Sequence, residues 1–266
     1  MNPIDSVFEK LRKENKKAFI PFVTAGDPDL ETTGRLIQEL ANRGANIIEV
    51  GFPYSDPIAD GSVIQASYTR ALNGGIHLEA IFEAVNQWTQ TLDVPLVGMV
   101  SYTLVHRRSP DKFLGSATAA GFAGAIIPDL PFEESTALRE LCQKRDFKLI
   151  QLVTPTTAQQ RATQIAQAST GFLYCVSVAG ITGERDRLPP ELLEQLAWLR
   201  TQTNLPLCVG FGVSQPDHVR MLRGDADGVI VGSAIVRRLE DTSRSSEEII
   251  AEVGNYVATL VEALNG

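Results

Sequence analysis

Two carboxylates in the first quarter of the chain have the setting that chemistry requires. Glu49 stands in the apolar run Ile47-Ile48-Glu49-Val50-Gly51-Phe52-Pro53, and Asp60 follows eleven residues later in Tyr54-Ser55-Asp56-Pro57-Ile58-Ala59-Asp60-Gly61. Alternation along a strand puts Glu49 on the side of Ile47, where an acid either points into a cavity mouth or stays buried at a cost. Partial desolvation there raises a carboxyl pKa and keeps the group useful as a proton donor or acceptor near neutral pH. Two carboxylates in different settings can divide the work, one shuttling protons and the other staying ionised beside a developing positive charge. By residue type alone, a salt-bridged core glutamate and a turn-forming aspartate fit equally well.

Three glycine-rich turns late in the chain form a second constellation: Ala179-Gly180-Ile181-Thr182-Gly183, Gly210-Phe211-Gly212-Val213-Ser214 and Val231-Gly232-Ser233-Ala234. Glycines let backbone approach a ligand closely, and a helix start offers unpaired N–H groups to an anion. One such pair is an ordinary turn. Three after neighbouring strands describe a phosphate cradle.

Both constellations need a scaffold that gathers strand ends. Short β-branched runs alternate with longer amphipathic stretches along the whole chain, and the spacing predicts strands at 18–22, 46–50, 95–99, 124–127, 148–153, 172–176, 207–210 and 228–231. Helices are expected at 31–42, 133–144, 190–201, 215–222 and 245–264, with an extra N-terminal helix at 3–14 capping the barrel bottom. Gly44, Gly121 and Gly224 each precede a strand and read as helix C-caps. The first strand-to-helix turn, Phe22-Val23-Thr24-Ala25-Gly26-Asp27-Pro28, lacks the GxGxxG of an open doubly wound sheet. The expected fold is therefore α/β, a single (β/α)8 TIM barrel over residues 1–266 as one domain, with a long mobile loop at 177–188 after strand six.

Composition bounds the function. A chain of 266 residues, 44% hydrophobic and 21% charged, has a formal net charge of −8, which disfavours nucleic acid as a partner. Cys142, Cys175 and Cys208 have neither disulfide nor CxxC spacing, and the expected setting is reducing and cytoplasmic. No membrane span, and so no membrane partner, is expected.

The run IIEVGFPYSDPIADG closely resembles the signature of the tryptophan synthase alpha subunit. The resemblance continues, in order, through AFIPFVTAGDP, IIPDLPFEES, YCVSVAGITG, VGFGVS and VIVGSAIV. It implies a lyase of tryptophan biosynthesis that splits indole-3-glycerol phosphate into indole and glyceraldehyde 3-phosphate by a retro-aldol step and passes indole to a beta subunit. It further implies Glu49 as general acid and base, and Asp60 as the group holding the indole N–H. Phe22, Val100, Tyr174 and Phe211 would wall the indole pocket, Gly183, Gly212, Gly232 and Ser233 would meet the phosphate, and Thr182 would close against Asp60. Pro53, Asp56, Pro57, Asp129 and Pro131, expected as exposed turns on one barrel face, would dock the beta subunit in an alpha2beta2 tetramer. No cofactor is expected in this chain, pyridoxal phosphate belonging to the beta partner.

The sequence narrows how such a bond could break. Lys16, Lys17 and Lys148 lie before or at the start of strands, and Lys10, Lys13, Lys112 and Lys144 fall in helical stretches, so no lysine is placed for a Schiff base. His77, His106 and His218 have no metal-ligand spacing. Ser62, Leu104 and Val178 depart from the family's usual Pro, Asn and Arg. The rival readings are a non-catalytic activating subunit, a stand-alone indole-releasing lyase, and a neighbouring barrel enzyme such as an indole-glycerol-phosphate synthase or sugar-phosphate epimerase. The synthase would need a strand-end lysine and the epimerase metal ligands.

Overall fold

The computed structural model describes residues 1–57, 60–177, 189, 191–241 and 243–266. Its strands are β1 (Ala18–Thr24), β2 (Ile48–Gly51), β3 (Leu96–Met99), β4 (Phe122–Ile126), β5 (Lys148–Val153), β6 (Leu173–Val176), β7 (Leu207–Gly210) and β8 (Gly228–Val231). Each pairs in parallel with the next, and β8 pairs with β1 to close the barrel. Eight strands in sequence order with helices between them make the expected (β/α)8 architecture.

Alternation sorts the strand residues into two cores. Ala18, Ile20 and Phe22 of β1, with Ile47, Val97, Met99, Ile126, Ile150, Tyr174, Cys208 and Ile230, fill the barrel interior. Phe19, Val23, Ile48, Val50, Leu149, Leu173 and Val209 face outward against the helices. Most strands match the expected spans closely; β4 begins two residues early because the register shifts between Leu96, opposite Phe122, and Val97, opposite Gly124.

The N-terminal helix, Pro3–Lys13, closes the barrel bottom. Asn2 caps it by accepting from the Ile4 N–H at 2.9 Å and donates from Nδ2 to the carbonyls of Ala123 and Asp146. Phe8 packs on Phe172, and Asp5 pairs with Lys148 at 2.6 Å. These partners all sit near the N-terminal ends of β4, β5 and β6, so Lys148 lies at the end opposite the strand C-termini. The final helix, Ser246–Asn265, opens with a Ser245/Glu248 capping box.

Two expected elements differ. The stretch 133–144 divides into a 3-10 turn, Phe132–Glu134, and a helix, Thr136–Lys144, with the Ser135 hydroxyl donating to the Phe132 carbonyl at 2.6 Å between them. Gly44 and Gly121 do close helices with left-handed backbone, φ 98° and 104°, but Gly224 is not left-handed, and the helix Pro216–Leu222 ends at a right-handed Arg223. The loop expected to be mobile lies, from 178 to 188, outside the described residues. Among the described residues, no helix is long and apolar enough to cross a membrane.

Candidate active site

Glu49 projects from β2 into the barrel mouth, where it is 1% exposed and its Oε2 has no hydrogen-bond partner among the described residues. That oxygen has lost water without gaining a donor from them. Burial first, and the nearby Asp60 charge second, push its carboxyl from 4.5 to about 8.

Asp60 is half-buried and lies just before Gly61, the N-cap of the helix Ser62–Asn73. Its N–H donates to the Pro57 carbonyl at 3.1 Å, and its own carbonyl accepts from Gln65 Nε2 at 2.7 Å. Burial, then the charge of Asp129, push its carboxyl up to about 6. Asp60 therefore titrates while Glu49 is still neutral, which is why Asp129 rather than Glu49 is the charge it feels. Near pH 7 the pair holds one proton, on Glu49, and one negative charge, on Asp60.

Both carboxyl groups line a cleft of about 460 Å³ at the C-terminal ends of the strands. Phe22, Tyr174 and Phe211 supply aromatic walls, Ile64, Met99 and Ile230 add apolar surface, and Gly212, Gly232 and Ser233 lie at the side formed by β7 and β8. Phe211 meets Tyr174 edge to face at 5.9 Å. Phe211 and Gly212 are consecutive left-handed residues, φ 70° and 73°, and the Phe211 carbonyl accepts from the buried Ser177 hydroxyl. A left-handed phenylalanine costs on the order of 1–3 kcal/mol and is held there by its surroundings. Gly232 opens the helical turn Ser233–Val236, whose first N–H groups have no helical partner. A Cβ on Gly232 would meet only Phe22, at an ordinary 3.5 Å, so protein packing does not demand glycine there.

Val100 lines an adjoining chamber of about 390 Å³ that, among the described residues, shares Asp60 and Met99 with the cleft. Met99 takes the cleft position because Val97 and Met99 are the inward residues of β3. Asp56, Pro57 and Asp129 line that chamber too. Asp56, Asp129 and Pro131 are exposed and Pro57 is half-buried, but Pro53, expected in an exposed turn, is buried. Its neighbour Phe52 is drawn inward among Phe82, Phe113 and Phe122, with ring centroids 5.5–6.1 Å away. Asp129 accepts from the Ser101 hydroxyl and the Tyr102 N–H, both at 2.7 Å. Thr182 and Gly183 lie outside the described residues, as does Val178.

Residue types alone did not single out Tyr68 or Gly51, and they marked Gly210 only as part of a glycine-rich turn. A Cβ on Gly210 would lie 2.2 Å from the Tyr174 hydroxyl oxygen, and one on Gly51 would lie 2.4 Å from the Phe22 ring and 2.8 Å from the Tyr68 hydroxyl. Both glycines end strands and make room for aromatic groups at the site. The available signal was a glycine following a strand run on its inward face.

Among the described residues no three His, Cys, Asp or Glu side chains converge as a metal site. His77 caps the helix Leu78–Trp88, and His218 is buried with Nδ1 accepting from the Ser214 N–H. The three cysteines are buried and free.

A closed (β/α)8 barrel with two carboxyl groups in different settings and glycine turns at one mouth has the arrangement of a barrel enzyme. The sequence model of the tryptophan synthase alpha chain matches residues 8–265. The alpha chain of Rhodopirellula baltica is 46% identical, covering 100% of this chain and 99% of its own. The crystal structure of the alpha subunit from Legionella pneumophila superposes with a TM-score of 0.91 at 35% identity, over 99% of this chain and 98% of that one. A chain of tryptophan synthase from M. tuberculosis, in its aminoacrylate-bound form, gives 0.88 at 28% identity over the whole of both chains. The chain belongs to the tryptophan synthase alpha chain family, and its role is that of an alpha subunit in tryptophan synthesis.

Proposed function

We propose that this chain cleaves indole-3-glycerol phosphate to indole and glyceraldehyde 3-phosphate by acid–base retro-aldol chemistry. The observation that carries the reading is the placement of two carboxyl groups in one cleft, Glu49 buried without a donor to its Oε2 among the described residues and Asp60 half-buried, which pushes Glu49 up to about 8 and Asp60 to about 6. Glu49 delivers its proton to indole C3, turning the ring into a leaving group. The ring nitrogen gains positive charge, and the Asp60 carboxylate accepts its N–H and offsets that charge. The Glu49 carboxylate then takes the proton from the adjacent glycerol hydroxyl, the carbon–carbon bond breaks, and its electrons restore the indole. The proton count closes, with Glu49 protonated again and an aldehyde released.

The aromatic walls fit a flat apolar ring. Gly212, Gly232 and Ser233 suit the phosphate, with Thr182 and Gly183 assigned to loop closure and phosphate contact by family likeness. The step requires no cofactor in this chain. We further propose that the chain works as one domain and docks a pyridoxal-phosphate beta subunit, as an alpha2beta2 tetramer, through the exposed turns at Asp56, Pro57, Asp129 and Pro131, so that indole passes between them. The whole-chain likeness to the M. tuberculosis tryptophan synthase supports this.

Glu49→Gln and Asp60→Asn test the chemistry, since each is nearly isosteric. Each should lower turnover by roughly 10²–10⁴-fold with substrate binding largely kept. A Glu49→Gln enzyme with more than about a tenth of wild-type turnover would remove Glu49 as the proton shuttle.

A further inference from the structure

Asp60 is an anion in an unusual place. Among the described residues, the charged or titratable side chains around it are Glu49 from β2, Asp129 after β4, Tyr174 from β6, Tyr68 from the helix Ser62–Asn73, and Tyr54 and Asp56 from its own loop. Among the described residues lining either the cleft or the adjoining chamber there is no Lys, Arg or His. An ionised carboxylate with acidic neighbours and no cation depends on neutral donors.

Tyr68 has the right position. It stands two helical turns past Asp60 in one row with Ile64, and is 4% exposed. Ile64 faces the cleft, whereas Tyr68 faces the chamber, and Asp60 walls both. The phenol reaches the barrel mouth through the gap that glycine leaves at position 51, on the inward face of β2 two residues beyond Glu49. Burial, and then the charges of Asp60 and Glu49, hold its pKa well above 10. The hydroxyl thus keeps its proton wherever the two carboxyl groups titrate.

We propose that Tyr68 is a positioning residue, whose hydroxyl donates a hydrogen bond to the ionised Asp60 carboxylate in the substrate-bearing site and aims its other oxygen at the ring N–H. This rests on the reading of Asp60 as the anion beside the indole nitrogen. Asp60 turns one side to the substrate and the other to Tyr68, and the phenol ring fills space that any apolar side chain could fill. Only the hydroxyl carries the function.

Tyr68→Phe removes that oxygen alone. A lost hydrogen bond to the charged form raises the Asp60 pKa, so the acid limb of the kcat–pH profile should move up by about one unit. Turnover should fall roughly fivefold at pH 6, approach a tenfold loss below about pH 5, and change little near pH 8, with the basic limb of Glu49 unmoved. Tyr68→Met, which removes ring and hydroxyl while keeping bulk, should shift the same limb should Tyr68→Phe not fold. An acid limb that stays in place, or a loss equal at every pH, would overturn the assignment, because packing alone gives no pH signature. Asp60→Asn run alongside separates the two levels. If Asp60→Asn keeps wild-type turnover, the reading of Asp60 fails; if it is inactive while the profile of Tyr68→Phe overlays the wild type, Tyr68 alone is excluded.

Discussion

Glu49→Gln should make the folded chain more resistant to unfolding relative to wild type as the pH rises. In the unfolded chain the carboxyl titrates at its ordinary 4.5, and in the fold at about 8. Between those values the folded state holds a proton that the unfolded state has lost, so the contribution of Glu49 to wild-type stability is highest below 4.5 and declines as pH climbs to about 8. At about 1.4 kcal/mol per pH unit, the gap corresponds to about 4 kcal/mol lost between pH 5 and pH 9. The cleft is open to solvent, and water drawn to an ionised Glu49 reduces this to about 2–4 kcal/mol. Glutamine cannot ionise, and burying its amide adds an offset independent of pH. Asp60, whose carboxyl is also raised, loses its own share of stability between 3.8 and about 6 in both proteins. Urea unfolding of wild type and Glu49→Gln at pH 5, 7 and 9 reads the difference. A stability gap unchanged from pH 5 to pH 9 would mean that Glu49 does not titrate in this window, and the assignment of its proton would fall.

Two further outcomes follow from the same geometry. The kcat/KM–pH profile for cleavage should be a bell with limbs near 6 for Asp60 and near 8 for Glu49, because activity needs the first ionised and the second protonated; a flat profile between pH 5 and 9 would count against this division of labour. Gly210→Ala should cost about 1–3 kcal/mol of stability and displace Tyr174, since its Cβ would lie 2.2 Å from the phenol oxygen; calorimetry and turnover read this, and a wild-type melting point with wild-type turnover would show that the niche is not needed.

Glu49 was legible because a charge inside an apolar strand contradicts its surroundings, and such contradictions gather at functional sites. The glycine turns after β7 and β8 were legible from composition and spacing. Tyr68 was not, because a tyrosine four residues after Ile64 on an amphipathic helix reads as core, and only the barrel brings it over Gly51. Gly210 read as part of a ligand-binding turn and Gly51 carried no reading of its own, although a neighbouring ring requires each of them. Val100 came from family likeness alone, since it lies one residue past the strand Leu96–Met99, and it borders the adjoining chamber while Met99 lines both spaces. Pro53 looked exposed by composition, but the ring cluster around Phe52 pulls its turn inward.

The measurement that tests the proposed chemistry most directly is product release from indole-3-glycerol phosphate by the purified chain, with indole and glyceraldehyde 3-phosphate quantified together, alone and with a beta subunit, beside Glu49→Gln. Wild type should release both products in equal amounts, faster with the beta subunit present, while Glu49→Gln releases almost none. Absence of both products under either condition, or cleavage by Glu49→Gln at the wild-type rate, would contradict acid–base cleavage at this site.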